Sequence, residues 1–180
     1  SPYNYQYVVD GTLRIGDPYS TLILDPFDDS SISSETYPDM PQYPYGKTTG
    51  QATSFVLGPV ETIPPLSPKP EKKDLIIYEL LMRDFLAAHA YQTLEDTLDY
   101  LQRLGVNAVE LMPVQEFEGN QGWGYNPSYH MALDKYYGSD DAFRAVIEAC
   151  HARGMAVILD VVYNHAFSQS PLARLYWDGA

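Results

Sequence analysis

Two stretches of this chain repeat one pattern, and the repeat restricts the fold more than any other feature. In each stretch a helix-like segment ends in a glycine, Gly105 or Gly154, and an apolar run rich in β-branched residues follows. Glycine suits the left-handed position after a helix, and uniformly apolar runs are typical of strands buried on both faces. A third apolar run, 75–81, precedes both. The order β-α-β-α-β predicts an α/β fold with a parallel sheet covered by helices.

The two intervening helices begin at recognisable N-terminal signals. The first is predicted to begin at Thr93, with Asp96 as a capping-box-like partner, and the second at Ser139, with acidic residues in its first turn. Apolar residues at helical spacing predict one buried face for each helix. They are Leu94, Leu98, Leu101 and Leu104 in the first helix and Phe143, Val146, Ile147 and Cys150 in the second.

The third apolar run ends abruptly in polar residues, with Asp160 directly after it and Asn164 and His165 close behind. Polar groups at the end of a buried strand are costly unless they have partners or a ligand. In barrel enzymes the carboxyl ends of the strands carry the chemistry. The alternative is a buried Asp and Asn that only satisfy loop backbone groups. The repeat described above and the connection described next favour a site.

Residues 114–138 are predicted to form a long loop without regular structure, and loops of this length in a compact domain are usually functional or disordered. The segment is rich in glycine and aromatic residues, including Trp123 and Tyr125, which disordered segments lack. A strand-to-helix loop lies on the same face as Asp160 and His165. Aromatic rings, a carboxylate and an imidazole on one face suit a neutral, hydroxyl-rich ligand such as a sugar.

These motifs resemble the α-amylase superfamily of glycoside hydrolases, family 13. Asp160–His165 matches the family motif at the end of the third barrel strand, and Trp123–Pro127 matches the aromatic loop after the second. Tyr78–Phe85 looks like the first strand and the residues after it. The resemblance covers 74–180 and implies the first three β/α units of a TIM (β/α)8 barrel. Leu133 is a departure, because many relatives carry proline at that position.

The resemblance also implies roles for single residues. Asp160 resembles a family aspartate that lies next to the bound sugar. His165 resembles the histidine that hydrogen-bonds the sugar at the cleavage position, and Tyr125 resembles the tyrosine that stacks under that sugar. A satisfied loop histidine and an aromatic loop plug are the alternatives for His165 and Tyr125. Trp123 is expected to support the loop. Asn164 resembles a calcium ligand of many amylases, so calcium stays open, and no other cofactor is expected.

The implied reaction is retaining cleavage of α-glucosidic bonds in an α-glucan or maltooligosaccharide, by an α-amylase or pullulanase-like glycosidase. In this family the nucleophile follows the fourth strand and the general acid the fifth, so both are expected beyond Ala180 and the chain alone is expected to be inactive. Glu110 and Glu116 are assigned no catalytic role. A branching enzyme, which transfers glucan, and a non-catalytic glucan-binding protein with a decayed barrel remain alternatives.

The N-terminal part has no helical period. Residues 1–58 resemble the C-terminal part of the β-sandwich, carbohydrate-binding-like module that precedes the barrel in branching enzymes, isoamylases and pullulanases. Tyr5–Ile15 is predicted to form a hairpin with an Asp10–Gly11 turn. The proline-rich stretch 59–73 reads as a linker, and 74–180 as the start of the catalytic barrel. The natural protein is expected to begin before the first residue.

Composition restricts the partners. A net charge of −13 argues against binding to nucleic acid and to anionic membranes, because both need clustered Lys and Arg. The single cysteine, Cys150, excludes an intrachain disulfide and is expected in the core. Without a membrane-length apolar stretch, the protein is expected to be soluble and cytoplasmic, although a signal preceding the chain would be lost.

Three strands cannot close an eight-stranded barrel, so the remaining part of the barrel is an expected partner. The face that carries Ile76, Val109 and Ile158 is expected to stay uncovered in the chain alone. Uncovered apolar faces promote association, and the chain alone is therefore expected to aggregate or dimerise.

Overall fold

The computed structural model describes residues 2–59 and 61–177. The strands are β1 Tyr3–Tyr5, β2 Tyr7–Val9, β3 Leu13–Ile15, β4 Ile23–Leu24, β5 Ala52–Phe55, β6 Ile77–Leu80, β7 Ala108–Leu111, β8 Gln115–Phe117, β9 Pro127–Leu133 and β10 Ala156–Leu159. The helices are α1 Met82–Phe85, α2 Tyr91–Glu95, α3 Leu98–Arg103, α4 Asp140–Ala152 and α5 Pro171–Tyr176. Short 3₁₀ turns lie at Asp29–Ser31, Lys72–Asp74 and Lys135–Tyr137.

A parallel sheet forms the centre of the second half of the chain. Its strand order is β10-β7-β6, so β7 lies in the middle and pairs in parallel with both neighbours. Leu80, Leu111 and Leu159 lie side by side across the three strands. The predicted β-α-β-α-β order and the parallel pairing are confirmed.

Helices α2, α3 and α4 cover one face of this sheet and bury the main core. The strands contribute Leu80, Val109 and Leu111 to it, and the helices contribute Leu94, Leu98, Leu101, Phe143, Val146 and Cys150. Burying one such leucine fully contributes about 1.5–3 kcal/mol, so this face carries much of the stability. Burial raises the pKa of the Cys150 thiol to about 12, which agrees with the core position predicted for it.

Among the residues that the structure describes, no helix covers the opposite face of the sheet. Successive side chains of a strand point to opposite faces, so Glu110 lies on this face when Val109 points to the helices. Val109 is buried, and the expectation that it lies on the uncovered face is wrong. Glu79 and Glu110 are direct neighbours across β6 and β7, so the uncovered face carries a pair of carboxylates as well as the exposed Ile77.

One of the two predicted helices begins where the sequence indicates, and the other does not. Helix α4 begins as predicted, because the Ser139 hydroxyl accepts a hydrogen bond from the amide of Ala142 at 3.2 Å. The helix predicted to begin at Thr93 is instead two short helices, and the first begins after Ala90. At the break, the Thr97 hydroxyl donates to the carbonyl oxygen of Thr93 at 2.8 Å. Such local side-chain bonds compete with a continuous helix.

The connection 114–138 is not the unstructured loop that the sequence predicted. Strands β8 and β9 form an antiparallel hairpin in it, with a loop at 118–126. The register of β8 against β9 shifts within the stretch from Gln115 to Phe117. All residues of β8 are buried, so β8 lacks the alternation of polar and apolar residues that marks a strand in sequence.

The N-terminal part consists of small antiparallel sheets. The hairpin β2–β3 is confirmed, with Asp10 and Gly11 at φ 50° and 72° and a hydrogen bond from the Thr12 amide to the Val9 carbonyl oxygen. This is the turn type that Asp-Gly favours in hairpins. Strand β5 lies between β1 and β4 in a second sheet. Within residues 2–59 and 61–177, no helix is long and apolar enough to cross a membrane.

Candidate functional site

The predicted site residues lie at the carboxyl end of the parallel sheet. Asp160 directly follows β10, and its backbone amide donates to the carbonyl oxygen of Leu111 in β7 at 2.9 Å. Tyr125 lies near the end of loop 118–126, just before β9, and His165 lies in the segment after β10. Two separate connections of the fold therefore supply the three residues.

Tyr125, Asp160 and His165 are linked directly, and we call them the open cluster. The Tyr125 hydroxyl donates a hydrogen bond to Oδ2 of Asp160. His165 Nε2 lies 2.9 Å from the carbonyl oxygen of Tyr125. A carbonyl oxygen only accepts, so Nε2 carries the proton of the neutral ring and Nδ1 is left as the acceptor. The structure thus brings together the three residues predicted to bind substrate.

The open cluster remains accessible. The side chain of Tyr125 is 37% exposed, and His165 is exposed. The hydrogen bond to Asp160 raises the pKa of Tyr125 to about 12, with further contributions from partial burial and from the negative charges of Asp160, Glu79 and Glu110. At neutral pH the phenol therefore stays protonated and continues to donate to Asp160.

The two predicted supporting residues lie beside the open cluster without being packed into it. Trp123 is 59% exposed, and Asn164 is exposed. In the part of the chain that the structure describes, no group of three or more His, Cys, Asp or Glu side chains is placed to hold a metal ion. Calcium takes about 6–8 oxygen ligands, and no such carboxylate group accompanies Asn164 among these residues.

Gly124 fixes the chain directly before Tyr125. Its φ is +86°, a conformation that residues with a side chain rarely adopt. A Cβ at this position would lie 2.7 Å from the carbonyl oxygen of Pro113, which follows β7. Only glycine allows the loop to approach the end of the central strand this closely. The Trp-Gly-Tyr motif therefore has a structural reason for its middle residue.

Arg83, which follows β6, holds the same loop from another side. Its guanidinium pairs with the Asp84 carboxylate at 2.6 Å and donates to the carbonyl oxygens of Gln121 and Gly122. We expected Arg83 only as part of a family motif and assigned it no contact. An arginine three residues after the end of a strand is the signal that indicates such a role, because it lies near the carboxyl edge where the loops meet.

The base of the β8–β9 hairpin holds a second polar group, which we call the buried cluster: Lys135, Glu116, Asp29 and Asp134. The Lys135 ammonium lies 2.9 Å from Glu116 and 3.1 Å from Asp29, and Lys135 is 2% exposed. Asp134 is buried beside them and accepts a hydrogen bond from the amide of Tyr136 at 2.8 Å.

The buried cluster contains three carboxylates and one ammonium, and burial is the main cause of the shifted pKa values of the carboxylates. Burial raises the pKa of Asp134 to about 7 and that of Glu116 well above its ordinary value, against the opposing charge of Lys135. Burial alone would lower the pKa of Lys135, but the neighbouring carboxylates outweigh it and raise that pKa. Glu116 thus has a structural partner, consistent with its having no catalytic role.

The family model described as the catalytic domain of α-amylase matches residues 90–172. The malto-oligosyltrehalose trehalohydrolase of Saccharolobus solfataricus is 36% identical over 153 residues, which are 85% of this chain and 26% of that relative. The chain therefore spans about a quarter of the length of this relative.

Solved structures agree with this similarity. An α-amylase candidate from Salmonella typhimurium has a TM-score of 0.73 and 26% identity over 96% of this chain and 26% of its own. A pullulanase from Group B Streptococcus, solved with maltotetraose, has a TM-score of 0.65 and 26% identity over 92% of this chain and 25% of its own.

Proposed function

We propose, on the premise that this chain belongs to the α-amylase superfamily, that it supplies the substrate-positioning half of an active site that cleaves α-glucosidic bonds with retention of configuration. The observation that carries the proposal is the open cluster. Tyr125, Asp160 and His165 come from two connections and are joined by hydrogen bonds at the carboxyl end of the sheet.

The fold supports the architecture that this function needs. Strands β6, β7 and β10 are parallel, helices cover one face, and the other face is open. We assign them as the first three strands of a (β/α)8 barrel, whose remaining strands would cover the open face. Residues 1–58 then form the end of a β-sandwich module and 59–73 the linker to the barrel.

Each member of the open cluster has a chemical task in this proposal. The Tyr125 ring offers a face to the C–H surface of a glucosyl ring, and its bond to Asp160 fixes the ring orientation. Asp160 accepts from a sugar hydroxyl through Oδ1, because Oδ2 already accepts from Tyr125. His165 binds a second hydroxyl through Nδ1, since Nε2 faces the loop carbonyl.

The bond-breaking groups come from outside this chain. In a retaining reaction, one carboxylate attacks the anomeric carbon while a carboxylic acid gives its proton to the leaving oxygen. Water then attacks the glucosyl-enzyme, returns a proton to the acid–base group and releases the sugar. The open cluster holds the sugar in place through both steps, so its contribution is positioning.

The substrate class is an α-glucan, and we propose malto-oligosyltrehalose as its most specific member. This choice is supported by the similarity to the malto-oligosyltrehalose trehalohydrolase of Saccharolobus solfataricus. The test is an assay of the whole protein with malto-oligosyltrehalose, maltoheptaose, pullulan and amylose. Release of trehalose would support the proposal. Binding of all four without turnover would indicate a non-catalytic glucan-binding protein, and formation of new α-1,6 branches on amylose would indicate a branching enzyme.

A further inference from the structure

Loop 118–126, which carries Tyr125, is attached to a distant part of the chain. The amide of Gly119 donates to Oδ2 of Asp28 at 3.1 Å. The Asn120 side-chain amide donates to the carbonyl oxygen of Asp28 at 3.2 Å and to the hydroxyl of Ser31 at 2.7 Å. These three bonds connect residues about ninety positions apart in sequence. The outer half of the loop is thus anchored to the N-terminal turn 25–31.

The N-terminal turn is itself tightly held. The Asp25 carboxylate accepts from the Phe27 amide at 2.8 Å and from the Gln51 side chain at 2.7 Å. The Asp29 carboxylate accepts from the Asp25 amide at 2.8 Å and pairs with Lys135. Because Asp25 and Asp29 are buried, these bonds are protected from water and fix the turn against the base of the hairpin.

The inner half of the loop has separate supports. Gly124 packs against Pro113, and Arg83 binds the carbonyl oxygens of Gln121 and Gly122. Residues 118–120 have no equivalent bond to the parallel sheet. Within the loop, the Asn126 side-chain amide donates to the Glu118 carbonyl oxygen, and the other bonds go to the turn and, through the Glu118 carboxylate, to the segment after β10. The position of the loop tip therefore depends on contacts from outside the sheet that bears Asp160.

We propose that Asp28 and Asn120 are positioning residues for the open cluster. They hold loop 118–126 in the place where Tyr125 meets Asp160 and His165, so the N-terminal part of the chain acts on the site without contacting the sugar. The effect on glucan affinity rests on the proposed function, whereas the effect on the loop does not. A loop that is only partly in the competent position weakens apparent affinity in proportion to the lost population.

The first experiment measures hydrogen exchange of the peptide covering 118–126 by mass spectrometry. In Asp28→Ala the Gly119 amide loses its acceptor, and in Asn120→Ala two more bonds are lost, so we expect exchange in this peptide to rise about tenfold in each variant. Exchange in α4 should stay unchanged. Asp28→Asn keeps an acceptor oxygen and should restore most of the protection.

Glu35→Ala is the matched control, because it removes an exposed carboxylate from the same part of the chain. It should leave exchange of the loop peptide unaltered. Asp29→Ala is unsuitable here, since it removes a partner of a buried ammonium and acts on the whole fold. Unchanged loop exchange in both Asp28→Ala and Asn120→Ala would overturn the inference, whatever the glucan results.

The second experiment titrates the same variants with maltoheptaose. We expect about three- to tenfold weaker affinity in Asp28→Ala and Asn120→Ala, the scale of one lost hydrogen bond, and recovery in Asp28→Asn. Full affinity in a variant whose loop exchanges faster would overturn the positioning role. This titration uses the whole protein: if the unaltered whole protein binds no maltoheptaose, the proposed function fails, and the exchange result alone decides whether Asp28 and Asn120 position the loop.

Discussion

The β8–β9 hairpin carries a polar cluster near each end, and the two clusters use similar side chains in opposite ways. At the base, the Lys135 ammonium pairs with Glu116 and Asp29 away from water, and Asp134 is buried beside them. In the loop at the other end, Asp160 and His165 each use one side-chain atom to bind Tyr125, and Tyr125 and His165 stay exposed. One cluster is closed by the protein, and the other is open to a ligand.

This difference separates stability from binding. A buried ion pair that loses one partner leaves an uncompensated charge, which is strongly destabilising. An exposed cluster loses little stability when one side chain is removed, because water replaces the missing partner. Polar residues alone therefore do not mark a site in this chain. What distinguishes the site is that its polar atoms still face solvent.

The largest effect should come from breaking the buried cluster. Lys135→Met leaves Glu116 and Asp29 without their cation, and we expect the free energy of unfolding to fall by about 3–5 kcal/mol in urea denaturation. Arg144→Met is the control, because Arg144 pairs with the exposed Asp140 and Asp141 and such surface pairs contribute at most about 1 kcal/mol. An equal decrease in the free energy of unfolding of both variants would show that buried and exposed ion pairs contribute alike in this chain.

The pH dependence of the buried cluster should be the next largest effect. The pKa of Asp134 is raised from 3.8 to about 7 in the folded state, so folding favours its protonated form. Protonated Asp134 contributes its full share to the free energy of unfolding below pH 4. This contribution falls as the pH rises from 4 to 7 and does not change further above pH 7. One pKa unit corresponds to about 1.4 kcal/mol, so we expect wild type to lose about 2–4 kcal/mol relative to Asp134→Asn over this range.

Urea denaturation of both proteins between pH 4 and 8 measures this difference. Asp140→Asn serves as the control, since Asp140 is exposed and its substitution should give a difference from wild type that changes little with pH. A wild type that gains stability relative to Asp134→Asn as pH rises would contradict the raised pKa.

The open cluster should respond in binding and hardly in stability. Tyr125→Ala removes the aromatic face, and in the whole protein we expect a loss of about 1–3 kcal/mol in binding to maltoheptaose and, under the proposed function, a similar loss of transition-state stabilisation. Tyr125→Phe keeps the ring and removes only the bond to Asp160, so it should lose about 0.5–1.5 kcal/mol.

Tyr45→Ala provides the comparison, because Tyr45 is exposed in the N-terminal part of the chain. It should leave maltoheptaose affinity unchanged. If Tyr125→Ala binds as tightly as wild type and instead unfolds at lower urea, Tyr125 is a loop plug and belongs with the structural residues.

The last prediction is that the chain alone shows no hydrolytic activity. Under the proposed function the open cluster positions sugar and includes no carboxylate pair for attack and proton donation, so the chain alone should release no reducing sugar from maltoheptaose above background. Glu110→Gln and Glu116→Gln should give the same background. Measurable release that disappears in Glu110→Gln would mean that a carboxylate on the uncovered sheet face performs chemistry.

Local patterns predicted the parts of this structure that depend on neighbouring residues. Apolar runs after Gly105 and Gly154 predicted two of the parallel strands, Ser139 predicted the start of α4, and Asp10–Gly11 predicted the hairpin turn. Tyr125, Asp160 and His165 could be placed on one face because strand ends and the loops after them share an edge. These features need few residues to specify them.

The parts that escaped prediction depend on distant contacts. Lys135 and Asp29 are about one hundred residues apart, and no local pattern shows that a lysine after an aromatic loop will be buried by an N-terminal aspartate. The same applies to Asp28 and Gly119. Strand β8 was missed because tertiary burial covers all its side chains, including Gln115 and Glu116.

The paired carboxylates on the uncovered face of the parallel sheet give the chain a dependence on ionic strength. If two copies met through this face, Glu79 and Glu110 of each would approach those of the other, and their repulsion opposes stacking of Ile77 and its neighbours. Dissolved salt screens such charges over about 10 Å at 0.1 M. We therefore expect two copies of the chain to associate through this face more readily at high salt than in dilute buffer.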